Sequence, residues 1–281
     1  MITKIDWLSV TLPIGDGEEI AAHRMVENIA TTVYDFSPVV FAGIFGDYKY
    51  EKRKGRAPYS TGYSRSDAGC YIFCHPVLPH FLIELTGQGC SSLSRNCDPL
   101  EFLRAVQPRL TRIDVASDML CDTNPLEFAA LRDQGRFKSH SEFVSETGTT
   151  AYVGSRTSNR YARVYRYNPP HERAHLLRAE HVLKAQDAKS TALAILDTGL
   201  PAVTVALGSA FGWSHAVWTP QDVKAAEIAV WRPERHAGKT LFWLNSAVAP
   251  ALIRLAKETG FDVQAWLAEE VLTKITPDGN L

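Results

Sequence analysis

One short pattern near the start of the chain occurs a second time in its middle, and this repetition constrains the fold more than any other feature. Residues 3–10 read TKIDWLSV and residues 111–118 read TRIDVASD, and each stretch precedes a helical pattern and then several strand patterns. Such self-similarity is the signature of a duplicated structural unit, although four similar residues can also coincide by chance. A duplication predicts one curved, mainly antiparallel sheet built from two pseudo-symmetric halves.

The remaining patterns agree with an α+β fold. β-branched and aromatic residues with turn signals predict strands at 3–12 and 109–119, and strands joined by hairpins across 39–86 and 137–184. Helical spacing and capping residues predict helices at 17–33, 97–107, 124–134, 187–198, 219–229, 240–259 and 260–273. Helices packed on one face of an antiparallel sheet leave its other face free for a large ligand. We therefore predict a sheet domain at 1–186 and a helical C-terminal region at 187–281 that packs on it.

Basic residues are concentrated in two places, although the net charge of the 281-residue chain is only −1. The segment 147–179 contains six arginines and a single acid, Glu172, and a second cluster comprises Lys52, Arg53, Lys54 and Arg56. One such run is often only a solvated face, but two separate clusters favour a polyanionic partner.

Cysteine usage and hydropathy indicate a cytoplasmic protein. The five cysteines are odd in number and lack paired CxxC spacing, which is typical of reduced thiols and not of a disulfide framework. The first residues do not form a signal-peptide pattern, and no run reaches the roughly 18 apolar residues that a membrane span requires. We therefore expect no association with a membrane.

The segment HERAH at 171–175 matches the HExxH signature of zinc peptidases, and His181 stands where an extended motif places a third histidine. The extended motif needs a glycine at the position that Arg178 occupies, and all three methionines of the chain precede the motif, so no downstream Met-turn can form. The following LLRAEHVL has the alternation of a strand. The zinc peptidase is therefore the least favoured interpretation of this region.

A tyrosine-rich segment, RYARVYRY at 160–167, has the period of a strand. Because side chains alternate between the two faces of a sheet, Tyr161, Arg163, Tyr165 and Tyr167 share one face. Small apolar residues occupy the opposite face, which suits packing against helices. The Tyr/Arg face suits a binding surface.

Three other strand patterns place carboxylates on one face. These carboxylates are Glu84 in FLIEL, Asp114 and Asp118 in TRIDVASD, and Glu180 in LLRAEHVL, with Arg112 and Arg178 on the same faces. A single acid on a sheet is often merely solvated or paired with an arginine. Several carboxylates beside a tyrosine strand would bind a hard divalent cation such as Mg²⁺ or Mn²⁺, and the arginines would hold phosphates.

Together these motifs resemble the Rep_trans replication initiation factors. Members of this family are the rolling-circle initiators of small plasmids of Gram-positive bacteria, with relatives in filamentous phages and among conjugative-element relaxases. The resemblance covers residues 80 to 184 and consists of FLIEL, LTRIDVASD, YVGSRTSNRYARVYRY and LLRAEHVLK. The chain has no His-hydrophobe-His motif, so the relaxases that use a histidine pair are not direct templates.

The resemblance implies specific site residues. The family's nucleophilic tyrosine lies in R-[IV]-Y, about ten residues after G-[SV]-R-x-S-x-R, and this position is Tyr165 here. The acidic metal site falls on Asp114 and Glu180, with Glu84 and Asp118 as further members. Plasmid members carry a lysine two residues after the tyrosine, where this chain has Tyr167. Either Arg163 or Arg166 supplies the positive charge, or Tyr167 is a second nucleophile.

The resemblance also implies a metal-dependent DNA nicking-closing enzyme that initiates rolling-circle replication. Its tyrosine would attack origin DNA, leaving a 5′-phosphotyrosine and a free 3′-OH primer. The implied partners are the double-strand origin, its nicked single strand, and the host helicase and polymerase, and a homodimer stays open. We predict DNA contacts for nine basic residues: Lys52, Arg53, Lys54, Arg112, Arg156, Arg160, Arg163, Arg166 and Arg178.

Another class of function stays open beside this one. A non-catalytic DNA-binding regulator of a phage or plasmid could use the same scaffold and the same basic face. It would not need carboxylates around the tyrosine, so the combination of tyrosine, aspartate and glutamate favours the nicking enzyme.

Overall fold

The computed structural model describes residues 2–14, 25–46, 48–65, 69–130, 140–145, 148–167, 176–213 and 248–266. Contacts divide the chain into two compact units, Met1–Trp231 and Arg232–Leu281. The described part of the second unit contains the helices Ala249–Thr259 and Val263–Trp266. The predicted domain boundary at residue 186 stays a prediction.

The first unit is built on one ten-stranded sheet in which every pair of neighbouring strands is antiparallel. The strands, in chain order, are β1 (Ile2–Pro13), β2 (Tyr50–Lys54), β3 (Thr61–Arg65), β4 (Cys70–Cys74), β5 (His80–Thr86), β6 (Leu110–Leu120), β7 (His140–Ser145), β8 (Gly148–Val153), β9 (Arg160–Tyr167) and β10 (Leu176–Lys184). The α+β fold predicted from the sequence is confirmed.

Helices connect these strands and follow them. In chain order they are α1 (Met25–Phe36), α2 (Pro38–Ile44), α3 (Gly87–Ser92), α4 (Pro99–Val106), α5 (Pro125–Ala130), α6 (Ala185–Thr198) and α7 (Leu200–Ala210). The start of α4 follows from its sequence, since Asp98 accepts a hydrogen bond from the Leu100 amide and Pro99 occupies the first turn. No helix within the described ranges combines the length and the apolar composition that a membrane crossing requires.

The order of the strands repeats around the centre of the sheet. It is β2-β3-β4-β5-β1-β6-β10-β9-β8-β7, so the paired strands β1 and β6 are each flanked by the four strands of their own half in the same sequence. The two similar segments lie side by side in opposite directions, with Ile2 opposite Asp118 and Val10 opposite Leu110. The prediction of two pseudo-symmetric halves is confirmed.

One face of the sheet is covered by helices. Inward-facing residues of the central strands, such as Leu8, Val10, Ile113 and Val115, pack with residues of α1, α2, α4, α6 and α7 in one core. A second core lies under β8, β9 and β10, where Ala and Val side chains pack against α5 and against Phe211 and Trp213. The opposite face is polar, and we call it the polar face.

Several predicted elements differ from the structure. Residues 38–44 form a helix and not a strand, because Ser37 caps the segment, Pro38 occupies its first turn, and Val40 and Ile44 are one helical turn apart in the core. Helices α3 and α7 were not predicted. Parts of other predictions lie outside the described residues, namely 17–24, 47, 66–68, 131–134, 137–139, 146–147, 168–175, 219–229, 240–247 and 267–273.

The contact between α3 and Gly69, which directly precedes β4, yields a test of the fold. A Cβ added at Gly89 would lie 1.9 Å from the carbonyl oxygen of Gly69. We expect Gly89→Ala to lower the free energy of unfolding in urea by about 1–3 kcal/mol, because backbone must move to relieve the overlap. Ser91→Ala, on the exposed side of the same helix, should change it by less than about 0.5 kcal/mol. Equal stability of the Gly89→Ala variant and the wild type would contradict this packing.

Candidate active site

Three adjacent strands bring the predicted tyrosine and two predicted carboxylates together on the polar face. Strand β10 lies between β6 and β9. Glu180 of β10 is opposite Ala116 of β6 and Arg163 of β9, and residues directly opposite each other share a face. Strands β9 and β10, which carry Tyr165 and Glu180, are therefore direct antiparallel neighbours.

The hydroxyl of Tyr165 donates a hydrogen bond to Oε2 of Glu180 at 2.9 Å. Burial of the ring and the negative charge of Glu180 raise the pKa of Tyr165 well above its ordinary value. The phenol is therefore protonated, and its proton points at a carboxylate oxygen. Such a pair places a proton acceptor at hydrogen-bonding distance from an oxygen nucleophile, which is the geometry that nucleophilic catalysis requires.

Two arginines offset the charges of the two buried carboxylates. Asp114 and Glu180 have no exposed surface. Arg112 forms a two-point ion pair with Asp114, with Nε–Oδ1 at 2.7 Å and Nη2–Oδ2 at 2.5 Å. Arg163 contacts Oε1 of Glu180 through Nη2, which is also 3.9 Å from Oδ2 of Asp114. A buried carboxylate without such a partner would be strongly destabilising.

Burial and neighbouring charges shift the pKa values of the two carboxyl groups in opposite directions. Burial raises the pKa of Asp114 to about 8, and the Glu180 charge adds to this effect, whereas the hydrogen bonds from Arg112 oppose it. Burial would also raise the pKa of Glu180, but the charge and hydrogen bond of Arg163 outweigh it and hold that pKa below its ordinary value. Glu180 is therefore the ionised member of the pair, and Asp114 is the member that takes up a proton first.

A second ion-pair cluster lies further along the same strands. Arg178 binds Asp118 through Nε at 2.6 Å and Nη2 at 2.8 Å, and its Nη1 is 3.3 Å from both oxygens of Asp6. Its guanidinium carbon is 3.5 Å from the ring centroid of Tyr167, and the Lys4 ammonium is 5.1 Å from that centroid. Asp118 and Tyr167 thus contact Arg178, whereas the hydroxyl of Tyr165 is hydrogen-bonded to Glu180.

The fourth predicted carboxylate, Glu84, lies in the first half of the sheet. It accepts a hydrogen bond from the Ser9 hydroxyl at 3.2 Å and pairs with Arg56 Nη2 at 2.5 Å. Strand β1 separates its strand from β6, which carries Asp114. The structure therefore brings Asp114 and Glu180 together and places Asp118 and Glu84 in separate ion pairs.

The donor chemistry beside Tyr165 suits a hard divalent cation. Asp114, Glu180 and the phenol oxygen are the oxygen ligands that Mg²⁺ and Mn²⁺ prefer. Within the described ranges no group of three or more Asp, Glu, His or Cys side chains is arranged to hold a metal ion by itself. Magnesium is commonly bound through one or two carboxylates together with substrate phosphates, so a pair of carboxylates fits that mode.

The basic residues predicted to contact DNA fall into two groups. Lys52, Arg53, Lys54 and Arg156 are exposed. Arg53 lies on the polar face, whereas Lys52 and Lys54 alternate with it and lie on the opposite face of β2. Arg160 instead pairs with Asp187 of α6, and Arg166 donates to the carbonyl oxygens of Cys121 and Thr123. Arg112, Arg163 and Arg178 pair with the carboxylates described above. The DNA-binding role of all nine residues stays a prediction.

His181 belongs to the core and not to a zinc site. Its ring lies in β10, fully buried, with ring centroids 4.9 Å from Phe211 and 5.5 Å from Trp213. Burial lowers its pKa to about 3, so the imidazole is neutral. Residues 176–181 are strand, as the alternating pattern predicts, whereas 171–175 lie outside the described residues.

Asp6 and Trp7 were not predicted as site residues. Asp6 binds Arg178, and Arg112 lies over the Trp7 ring at 4.8 Å. The repeated pattern contained a signal for Asp6, because the dipeptide Ile-Asp occurs in both copies and aligns Asp6 with Asp114.

The raised pKa of Asp114 makes the stability of the protein depend on pH. The folded state holds this proton more tightly than the unfolded state, whose pKa is near 3.8. The resulting stabilisation is complete below about pH 4 and is lost as the pH rises to about 8. Asn cannot ionise, so the wild type should lose stability relative to Asp114→Asn by up to about 1.4 kcal/mol per pH unit in this interval. Urea unfolding at several pH values, with EDTA present, measures the difference.

Glu127→Gln is the matched control for this pH series, because Glu127 is an exposed carboxylate on α5. Its stability should follow the wild-type pH curve. A difference between wild type and Asp114→Asn that is constant from pH 4 to pH 8 would show that Asp114 is not protonated preferentially in the folded state.

No protein-family model matches the chain, and no curated protein matches it. Among solved structures, the chain is similar to a rolling circle replication initiator protein from Geobacillus stearothermophilus, with a TM-score of 0.54 and 18% sequence identity. The similarity covers 87% of this chain and 94% of that one. The chain therefore has the fold of that initiator over nearly its whole length.

Proposed function

We propose that this protein initiates rolling-circle replication by nicking origin DNA with Tyr165 as the nucleophile. The observation that carries this proposal is the hydrogen bond from the Tyr165 hydroxyl to Glu180, beside Asp114, on the sheet face that no described helix covers. The shared fold with a rolling circle replication initiator supports it. The host helicase and polymerase would then act on the opened origin and its 3′ end.

The chemical step transfers one phosphodiester from DNA to the protein. The Tyr165 oxygen forms a bond to phosphorus, and the bond from phosphorus to the 3′ oxygen breaks. The phenolic proton passes to Oε2 of Glu180, which already accepts it in a hydrogen bond, and the released 3′ oxygen takes a proton from solvent. The products are a 5′-phosphotyrosine and a free 3′-OH. Attack by the 3′-OH on the phosphotyrosine reverses the same step and closes the strand.

Charge is the main requirement of phosphoryl transfer, and the surrounding residues address it. Arg163 holds Oε1 of Glu180 and keeps this carboxylate ionised, so its other oxygen can accept the proton. Arg112 fixes Asp114 by two hydrogen bonds. A divalent cation held by Asp114 and Glu180 would neutralise charge on the phosphate when bound.

Replacing the two tyrosines separately tests the choice of nucleophile. Tyr165→Phe should abolish the covalent protein–DNA adduct, because it removes the attacking oxygen, while DNA affinity stays within about twofold since the interface is largely electrostatic. Tyr167→Phe should still form the adduct, at a reduced rate. If Tyr167 is a second nucleophile, this variant should instead nick normally but fail to close the final strand. The measurement uses supercoiled DNA of the protein's own element with Mn²⁺, a denaturing gel, and peptide mapping of the linked residue.

An adduct that maps to Tyr167, or that persists in Tyr165→Phe, would identify a different nucleophile. DNA binding without any nick in the wild type would instead favour a non-catalytic regulator. Tyr34→Phe, an exposed tyrosine of α1 on the helical side, serves as the control and should nick like the wild type.

The exposed basic residues should make DNA binding depend on salt. The logarithm of affinity falls with the logarithm of salt by about 0.9 for each phosphate contact. We expect Arg156→Ala and Arg53→Ala, which remove exposed arginines on or beside the polar face, each to reduce this slope by about 1. Arg104→Ala removes an exposed arginine of α4, on the helical side, and should leave the slope unchanged. Anisotropy titrations over a range of salt concentrations give the slopes; unchanged slopes in the first two variants would place the DNA elsewhere.

A further inference from the structure

The polar face of the first half carries an aromatic and arginine cluster that the nicking step does not use. Tyr71 and Phe73 of β4 lie two residues apart on this face, with ring centroids at 6.3 Å and planes at 16°. The guanidinium of Arg53 lies 4.7 Å from the Tyr71 centroid, and that of Arg56 lies 4.5 Å from the Phe73 centroid. Arg53 and Arg56 are exposed and Tyr71 is half-buried, whereas Phe73 is buried. Exposed guanidinium planes and aromatic rings are groups on which nucleic-acid bases stack.

This cluster is connected to the candidate active site by a continuous set of contacts. Arg56 pairs with Glu84, which accepts a hydrogen bond from Ser9, and Ser9 in turn accepts one from the Trp7 indole at 2.8 Å. Arg112 lies over Trp7 and also binds Asp114 of the site. The polar face therefore offers arginines and aromatic rings from β9 across the centre of the sheet to β2.

We propose that the first half is a non-cleaving binding site for single-stranded DNA. Arg53, Arg56 and Tyr71 would hold the unpaired strand by stacking and by phosphate contacts, and buried Phe73 would support Arg56. This inference rests on the proposed function for its ligand, although binding can be measured without cleavage. It extends that function, because it assigns the first half a ligand and a role after the origin has opened.

Stacking distinguishes a single strand from a duplex. Phosphates are present in both, so lysines and arginines alone would bind either. Base faces are available only in an unpaired strand, where aromatic rings and guanidinium planes can receive them. Arg53 and Arg56 are exposed, and each guanidinium already lies over a ring of the cluster, so it can also contact a base from the solvent side. The chemistry of this cluster therefore selects single-stranded DNA over duplex.

The spacing of the strands sets the length of DNA that can reach both regions. Five inter-strand spacings separate β9 from β4, which corresponds to about 24 Å across the sheet. A stacked strand rises about 3.4 Å per nucleotide, so about seven nucleotides would extend from Tyr165 to Tyr71. Shorter oligonucleotides can occupy only one of the two regions at a time.

The test compares oligo-dT and duplex DNA of equal length, without divalent ions, by fluorescence anisotropy. For a 20-nucleotide oligo-dT we expect Tyr71→Ala to weaken binding about fivefold or more, as loss of one stacked base does. Arg53→Lys keeps the charge but removes the planar group, so it should weaken oligo-dT binding at least twofold while duplex affinity stays within experimental error. Oligonucleotides shorter than about seven nucleotides can bind at the second half alone. For these, both variants should lose less affinity than they do for the 20-nucleotide oligo-dT.

Tyr34→Ala is the matched control, since Tyr34 is a 54% exposed tyrosine on the helical side, and it should bind oligo-dT like the wild type. Arg53 is exposed, so Arg53→Lys tests the proposal even if Tyr71→Ala does not fold. Equal losses for duplex and oligo-dT in Arg53→Lys, or no loss for either, would overturn the single-strand site. If the wild-type protein forms no covalent adduct in the nicking assay, the proposed cleavage is overturned. The oligo-dT binding measurements would still test the single-strand site independently.

Discussion

The pairing of β1 with β6 is the contact on which the rest of the structure depends. It joins the two halves of the sheet, and its register places Leu8 opposite Ile113 in the core and Trp7 opposite Asp114 on the polar face. A shift by one residue would turn Asp114 into the helix-covered core and Ile113 into the site. The register changes at Asp6, between Ile5 and Trp7. Correct central pairing is thus a condition for both the core and the candidate active site.

Burial gives the carboxylates of the site properties that exposed acids lack. Asp114 and Glu180 have no contact with solvent, and each is matched by a guanidinium, Arg112 or Arg163. Removing one partner of such a buried pair typically costs about 3–5 kcal/mol, so these arginines contribute to folding as well as to the site. The same low-dielectric surroundings strengthen any interaction with a phosphate or a cation. Stability and the proposed chemistry therefore draw on the same four side chains.

Period-two alternation was sufficient to predict the site's face but not its distances. Tyr165 and Glu180 could each be placed on one face of its strand because both strands alternate regularly, and the repeated pattern predicted a sheet of two similar halves. Alternation does not show which strands are neighbours, so Glu84 and Asp118 were grouped with a pair from which the structure separates them. The pairing of Arg160 with Asp187 depends on α6 and could not be inferred from β9 alone. Helix α2 was missed because its apolar residues also suit a strand.

The two halves share a topology but differ in the side chains that they present. In the second half Tyr165 is hydrogen-bonded to the carboxylate of Glu180, whereas in the first half arginines lie over the rings of Tyr71 and Phe73. A surface with true twofold symmetry would accept a DNA strand equally well in either direction. Because these halves are unlike, a strand that crosses both has a distinct beginning and end relative to the protein. The divergence of the halves would thus fix which end of a bound strand lies beside Tyr165.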